Sequence, residues 1–118
     1  MSPRAARAAR TTETLAGTAG VFAALGDGTR LRLINRLCTG GPASIVDLTE
    51  GQSVSRQAVS KHLQVLAHAG LARSRRRGRE RVWQIEPRRL DDARHWLARI
   101  SSQWDDGLGR LKAMVEEG

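Results

Sequence analysis

The stretch SRQAVSKHLQVLAHAGL, residues 55–71, decides the fold. Ser55 is placed as an N-cap and Gly70 as the residue after the helix end, which together predict about four helical turns. At about 100° per residue, the bulky apolar side chains share one side of this helix; they are Val59, Leu63 and Leu66. The other side is polar and able to hydrogen-bond; it carries Gln57, Ser60, Lys61, Gln64 and His68.

An arginine-rich β-hairpin is predicted directly after this helix. Residues 71–76 and 80–85 have the composition of two short strands, and Gly78 supplies the positive φ that a tight turn needs. Trp83 and Ile85 alternate to one face. The cationic residues are Arg73, Arg75, Arg76, Arg77, Arg79 and Arg81, with Glu80 as the one acid among them. Because these charges repel one another, a polyanionic partner explains the run better than simple solvation does.

Three helices are predicted before residue 55. The first spans residues 14–25, and its apolar face carries Leu15, Ala19, Phe22 and Leu25. Asp27 caps the second, whose apolar face carries Leu31, Ile34, Leu37 and Cys38. Cys38 is therefore interpreted as a small buried hydrophobe rather than a redox sensor. Ser44 caps a short third helix.

A long last helix is predicted over residues 87–116, with Pro87 in its first turn. Its apolar residues fall in one narrow stripe, which a single helix cannot bury alone; they are Leu90, Ala93, Leu97, Ile100, Trp104, Leu108, Leu111 and Val115. Gly107 and Gly109 each cost about 1 kcal/mol relative to alanine in a helix interior. We therefore expect a break or unusually close packing at this point.

The charge distribution points to an acidic partner. The 118 residues carry 20 Lys and Arg against 12 Asp and Glu, a net charge of +8. Residues 51–89 alone hold ten basic and two acidic side chains, the pattern of an electrostatic footprint. Residues 1–13 are predicted to be a disordered basic arm, followed by one domain over residues 14–118.

The remaining composition excludes several classes of protein. A single cysteine forms no internal disulfide and fits a reducing compartment. The longest apolar run, residues 21–25, is too short for a membrane span or a signal peptide. The chain is therefore expected to be cytoplasmic, with no membrane partner.

A short helix, a turn, a polar-faced helix and a basic hairpin form the order of a winged helix-turn-helix. An α-helix fits the major groove of DNA, where Gln57, Ser60 and Lys61 are candidates for reading base edges. The other candidates on this helix are Ser55, Arg56, His62 and Gln64, with Ser55 and Arg56 best placed for phosphate. His62 lies at the edge of the core face, so partial burial is an equal alternative. The hairpin is predicted to contact the phosphate backbone or the minor groove through Arg75, Arg77, Arg79 and Arg81.

The segments FAALGDGTRLRLINRL (22–37), residues 55–71 and RRRGRERVWQI (75–85) closely resemble the ArsR family of winged-helix repressors. The resemblance covers residues 15–115. It implies a mainly α fold with a small β-hairpin wing, a homodimer formed by the first and last helices, a pseudo-palindromic operator, and repression relieved by an effector. The resemblance therefore also implies a protein that associates with the nucleoid. Its expected dimer contacts are Leu15, Phe22, Leu97, Ile100, Trp104, Leu108 and Leu111.

The sequence departs from the metal-sensing members of that family. Ser44 and Val46 occupy the positions that match their thiolate pair. In the last helix Asp92 and His95 match an early ligand pair, but Trp104 and Asp105 occupy the later region. Without thiolate or imidazole ligands at suitable spacing, no metal and no cofactor is expected.

Three other functions are less consistent with these patterns. An enzyme needs a nucleophile with its base, a carboxylate pair or a metal site, and none is evident. RNA binding is disfavoured because the chain has no tyrosine and its aromatic residues are at apolar-patterned positions. A dimerising adaptor that binds nucleic acid without sequence preference is the third alternative.

Overall fold

The computed structural model describes residues 15–117, so the predicted arm at residues 1–13 lies outside it. The elements are α1 (15–25), α2 (Gly28–Gly40), β1 (Ala43–Ser44), α3 (Ile45–Thr49), α4 (Arg56–His68), β2 (Ala72–Arg77), β3 (Glu80–Ile85) and α5 (Pro87–Glu117). This mainly helical architecture with a small antiparallel sheet confirms the predicted fold class. No helix within the described range has the length and apolarity needed to cross a bilayer.

The sheet has three strands rather than the two that were predicted. Its order is β1-β3-β2, and both pairings are antiparallel. The two-residue strand β1 pairs Ala43 with Trp83 and Ser44 with Val82. Nothing in the local sequence marks β1, because so short a strand exists only through its partner in the sheet.

The core is formed where α1, α2, α3 and α4 meet the base of the hairpin. The largest fully buried side chains are Leu33, Leu48, Leu63, Leu66, Leu71, Val21 and Val59. All three apolar residues predicted for the inner face of α4 are therefore buried. Trp83 joins the same cluster from β3 and is 6% exposed.

The predicted apolar face of α2 was partly wrong. Its buried residues are Leu33, Ile34 and Leu37, whereas Leu31 is 51% exposed and Cys38 is also exposed. The buried face of α2 is displaced towards Leu33 relative to the predicted face. Adjacent positions lie about 100° apart on a helix, so burying Leu33 beside Ile34 and Leu37 turns Leu31 and Cys38 outward. The interpretation of Cys38 as a buried hydrophobe is therefore overturned.

α1 has two apolar faces with different surroundings. Val21 and Ala24 pack in the core, together with the buried Thr18. Leu15 and Phe22 remain on the outer face. The ring of Phe22 meets that of Trp96 of α5 edge-on, with centroids 5.7 Å apart and planes at 61°. This contact joins the first and last helices.

α5 is one continuous helix through Gly107 and Gly109. Of the two alternatives expected at these glycines, the break is absent, although each glycine disfavours the helix locally. The first part of α5 packs on the core through Ala93, which is buried, and Leu90, which is partly buried. From Leu97 onward its apolar stripe is exposed.

Candidate nucleic-acid interface

α4 presents a polar surface because its apolar side is fully used by the core. Ser55 caps the helix, its Oγ accepting from the backbone N–H of Ala58 at 3.2 Å. Gln57, Lys61 and Gln64 are exposed, as predicted for the outward face, and Ser60 is half-buried. The side-chain amides of Gln57 and Gln64 and the ammonium group of Lys61 are therefore accessible for hydrogen bonds to a ligand.

α3 and α4 form the helix-turn-helix. Ser44 caps α3 through a 3.2 Å hydrogen bond from the backbone N–H of Asp47 to its Oγ, as predicted. Leu48 of α3 and Val59 of α4 belong to one core cluster, which fixes the two helices against each other. The exposed Ser55 and Arg56 then lie at the start of α4, where unpaired backbone N–H groups favour an anion.

The hairpin register determines which arginines share a face. A two-residue turn at Gly78 and Arg79 sets Arg77 opposite Glu80 and Arg76 opposite Arg81. Gly78 has a φ of +65°, and within residues 15–117 only glycines have a positive φ. Because facing residues lie on the same side of a sheet, Arg76 and Arg81 are one cationic pair and Arg75 and Arg77 lie on the opposite side.

The tip of the hairpin therefore carries positive charge on both faces. Residues 75–81 are all exposed. The ion pairs of the described part of the chain include Arg73, which lies 3.6 Å from Glu86, but none of the five tip arginines. Arg76 is absent from the predicted set of DNA-binding residues. The register set by the two-residue turn places Arg76 opposite Arg81, and this register is the signal that could have added Arg76 to the set.

His62 occupies a different position from the other predicted contacts on α4. Its side chain is 23% exposed, and Nδ1 lies 3.8 Å from Oδ2 of Asp27. The same nitrogen is 3.1 Å from Nη1 of Arg30. His62 is therefore turned towards α2, which favours the alternative of partial burial.

A set of large apolar side chains, named here the apolar seam, remains exposed on α1 and α5. It comprises Leu15, Phe22, Leu97, Ile100, Trp104, Leu108, Leu111, Met114 and Val115. Trp104 is 68% exposed, so it is not part of the core of a single chain. A shallow groove beside Gly107 runs between Trp104 and Leu111. The seam contains every residue that was predicted to form the dimer contact.

Residues 15–117 hold no cluster of three or more His, Cys, Asp and Glu side chains suited to a metal ion. Asp92, which the resemblance matched to an early metal-ligand position, lies 3.7 Å from the guanidinium of Arg89. That carboxylate is engaged by a cation of its own helix.

Comparison with known proteins agrees with this geometry. A family model described as a helix-turn-helix domain matches residues 25–75, from the end of α1 to the middle of β2. The HTH-type transcriptional regulator Rv2034 of Mycobacterium tuberculosis is 40% identical over 88 residues. The matched region covers 75% of this chain and 81% of that relative.

Two solved structures share the fold. An ArsR-like transcriptional regulator from Rhodococcus sp. RHA1 has a TM-score of 0.74 and 36% identity, covering 86% of this chain and 95% of that one. The homodimeric winged helix-turn-helix DNA-binding domain of Mb0332 from Mycobacterium bovis has a TM-score of 0.62 and 25% identity, covering 84% and 88%. This chain belongs to the ArsR-like family of winged helix-turn-helix transcriptional regulators.

Proposed function

We propose that the protein is a homodimeric repressor that binds a pseudo-palindromic DNA site and carries no metal. The observation that supports this most strongly is the pairing of a polar, exposed face on α4 with a cationic hairpin tip in the same chain. One element is suited to base edges and the other to phosphates. The DNA site would lie in the bacterial nucleoid. No catalytic role is proposed for the protein.

Base reading is assigned to Gln57, Ser60, Lys61 and Gln64. Glutamine pairs with adenine and lysine with guanine in the major groove, where each base pair shows a distinct pattern of donors and acceptors. Ser55 and Arg56 contact phosphate at the start of the helix, where they fix its position without specifying sequence. His62 is not among the base-reading residues, since its Nδ1 faces Arg30.

The hairpin is assigned to the DNA backbone or the minor groove beside the contacted major groove. Arg75, Arg76, Arg77, Arg79 and Arg81 lie on both faces of the tip, so the tip is able to contact both walls of a narrow groove. Neutralising phosphates in this way releases counterions and makes binding depend on salt.

The dimer is assigned to the apolar seam. Seam residues such as Trp104, Leu108 and Leu111 are about half exposed or more in the single chain, a pattern that favours a protein partner. A second copy is the occupant we propose, because the related Mycobacterium bovis domain is homodimeric. Two linked copies of α4 then reach half-sites about 34 Å apart.

Repression follows from occupancy of the site. A dimer that covers two successive major grooves excludes other proteins from the same stretch of promoter DNA, and an effector that weakens the dimer's hold would relieve this. The absence of thiolate or imidazole ligands at suitable spacing in the sequence supports a sensor that does not use a metal. RNA binding and sequence-independent binding are the outcomes against which the proposal is tested.

The test begins with selection of duplexes from a random library by the wild-type protein. We expect an enriched duplex that binds far more tightly than a scrambled duplex of equal length and composition. Gln57→Ala and Lys61→Ala should each lose about 1–3 kcal/mol on the enriched duplex and little on the scrambled one. Lys112→Ala, which removes an exposed lysine of α5, is the matched control and should change neither. Equal losses on both duplexes, or preference for RNA, would refute the proposal.

A further inference from the structure

Arg30 lies where three helices meet. It is in the first turn of α2, which follows the end of α1 after two residues, and its side chain extends to α4. The corner cluster is defined here as Ala24, Asp27, Arg30 and His62. None of these residues belongs to the exposed base-reading face of α4 or to the apolar seam.

The side chain of Arg30 bridges two of these helices. Its Nε donates to the backbone carbonyl of Ala24 on α1 at 2.5 Å, and its Nη1 lies 3.1 Å from Nδ1 of His62 on α4. Because a guanidinium has donors only, Nδ1 of His62 is the acceptor in this hydrogen bond. A single cation therefore holds α1 and α4 through two directional hydrogen bonds.

Asp27 supplies the counter-charge. Its Oδ2 accepts from the backbone N–H of Arg30 at 3.0 Å and caps α2, and it lies 3.8 Å from His62 Nδ1. The carboxylate offsets the guanidinium charge in this half-buried position. A lysine has one compact ammonium group and lacks the planar fork needed to reach both acceptors.

The position of this bridge matters for recognition. Val59, Leu63 and Leu66 hold α4 by apolar packing, which has no strong directional preference. Hydrogen bonds weaken steeply with angle, so the contact at His62 restrains the rotation of α4 about its axis. Lys61 adjoins His62 in sequence, and base contacts of about 2.7–3.2 Å do not tolerate a large rotation.

We propose that Arg30 and His62 are positioning residues for base reading, and that they set the rotation of α4 from the corner between α1 and α2. This inference rests on the proposed function, since it requires that α4 reads bases. The Arg30 bridge also connects α4 to α1, which carries part of the apolar seam. The rotation of α4 would therefore be set relative to the dimer contact in both protomers. Neither residue is assigned a contact with DNA.

The test uses single variants, their combination and a conservative rescue. Arg30→Lys keeps the charge and loses the fork, His62→Phe keeps the ring shape and loses the acceptor, and His62→Asn keeps an acceptor oxygen near the position of Nδ1. Binding is measured on the enriched and scrambled duplexes defined above, under conditions where far-UV circular dichroism matches the wild type.

Arg30→Lys and His62→Phe should each weaken binding to the enriched duplex about tenfold, the scale of a lost hydrogen bond to a charged group. The scrambled duplex should be unaffected. The double variant should lose no more than either single variant, because both remove one shared interaction. His62→Asn should stay within about threefold of the wild type. If Arg30→Lys does not fold, the comparison of His62→Phe with His62→Asn carries the test.

Three results would overturn the inference while leaving the proposed function intact. These are unchanged binding by both single variants, fully additive losses in the double variant, and equal losses on the scrambled duplex, which would indicate direct phosphate contact. A wild-type protein with no preference for the enriched duplex would instead overturn the proposed function and this inference together.

Discussion

Gly70 lies against the side chain of Arg89, so closely that a Cβ atom at Gly70 would come within 2.6 Å of Arg89 Cγ. Gly70 also has a φ of +79°, the left-handed conformation that glycine adopts without steric cost. It follows the end of α4, where the N–H groups of Gly70 and Leu71 donate to the carbonyls of Ala67 and Leu66 at 3.0 and 2.9 Å. The start of α5 therefore packs against the end of α4 at Gly70, a residue that has no side chain.

Gly70→Ala should lower the free energy of unfolding by at least about 1–2 kcal/mol, the cost of a left-handed conformation for an L-residue. Displacement of Arg89 adds to this loss. Gly20→Ala is the control, because a Cβ there has nothing within 4 Å and alanine is favoured in a helix by about 1 kcal/mol. It should raise stability. Urea denaturation at one fixed protomer concentration makes the comparison. Equal stability of Gly70→Ala and wild type would show that this junction is not constrained.

The hairpin tip should dominate the salt dependence of DNA binding. Arg77→Ala and Arg79→Ala each remove one guanidinium, so each should reduce the slope of log affinity against log salt by about one unit for every phosphate that is no longer neutralised. The decrease in affinity should be equal on enriched and scrambled duplexes. Arg36→Ala removes the same charge from an exposed position of α2 and should leave the slope unchanged. Unaltered slopes in both tip variants would exclude the hairpin from the interface.

Asp27 should make stability fall in acid. The pKa of its carboxyl is held below the ordinary value of 3.8, chiefly by the hydrogen bond from the backbone N–H of Arg30, although desolvation opposes the shift. The folded state therefore binds this proton more weakly than the unfolded state does. The resulting stabilisation is present above about pH 4 and is lost as the pH falls through the lowered pKa.

Asp27→Asn keeps a good helix cap but removes the titrating group. Urea denaturation between about pH 5 and pH 2 should show a smaller acid-induced loss of stability in Asp27→Asn than in the wild type. A parallel fall in both proteins would mean that the Asp27 carboxylate contributes nothing to the pH dependence.

Much of the fold followed from local signals. The caps at Ser44 and Ser55, the turn at Gly78 and the inner face of α4 depend on neighbouring residues, and the structure confirms each. The strand β1 could not be predicted because its existence depends on β3. The sequence left the continuity of α5 through Gly107 open, because local propensity does not include the rest of a 31-residue helix.

The exposed residues of the candidate site could be predicted wherever the spacing of apolar and polar residues along a helix determines which side chains are exposed. Gln57 and Lys61 are opposite the apolar stripe of α4, and both are exposed. Cys38 was misplaced because Ile34 and Leu37 fit either of two neighbouring faces of α2, and only packing in the core selects one. The contact between His62 and Arg30 joins residues 32 positions apart, so no local pattern indicates it.

The central claim is that two copies of α4, held together by the apolar seam, bind one duplex. Sedimentation velocity of the enriched duplex with wild type and with Leu108→Asp measures this directly. We expect the wild-type complex to contain two protomers of 12.9 kDa, and Leu108→Asp to be monomeric and to lose tight binding. Ser102→Asp places the same charge on the opposite side of α5 and should behave as the wild type. A wild-type complex with one protomer, or a Leu108→Asp complex with two protomers and undiminished affinity, would contradict the account.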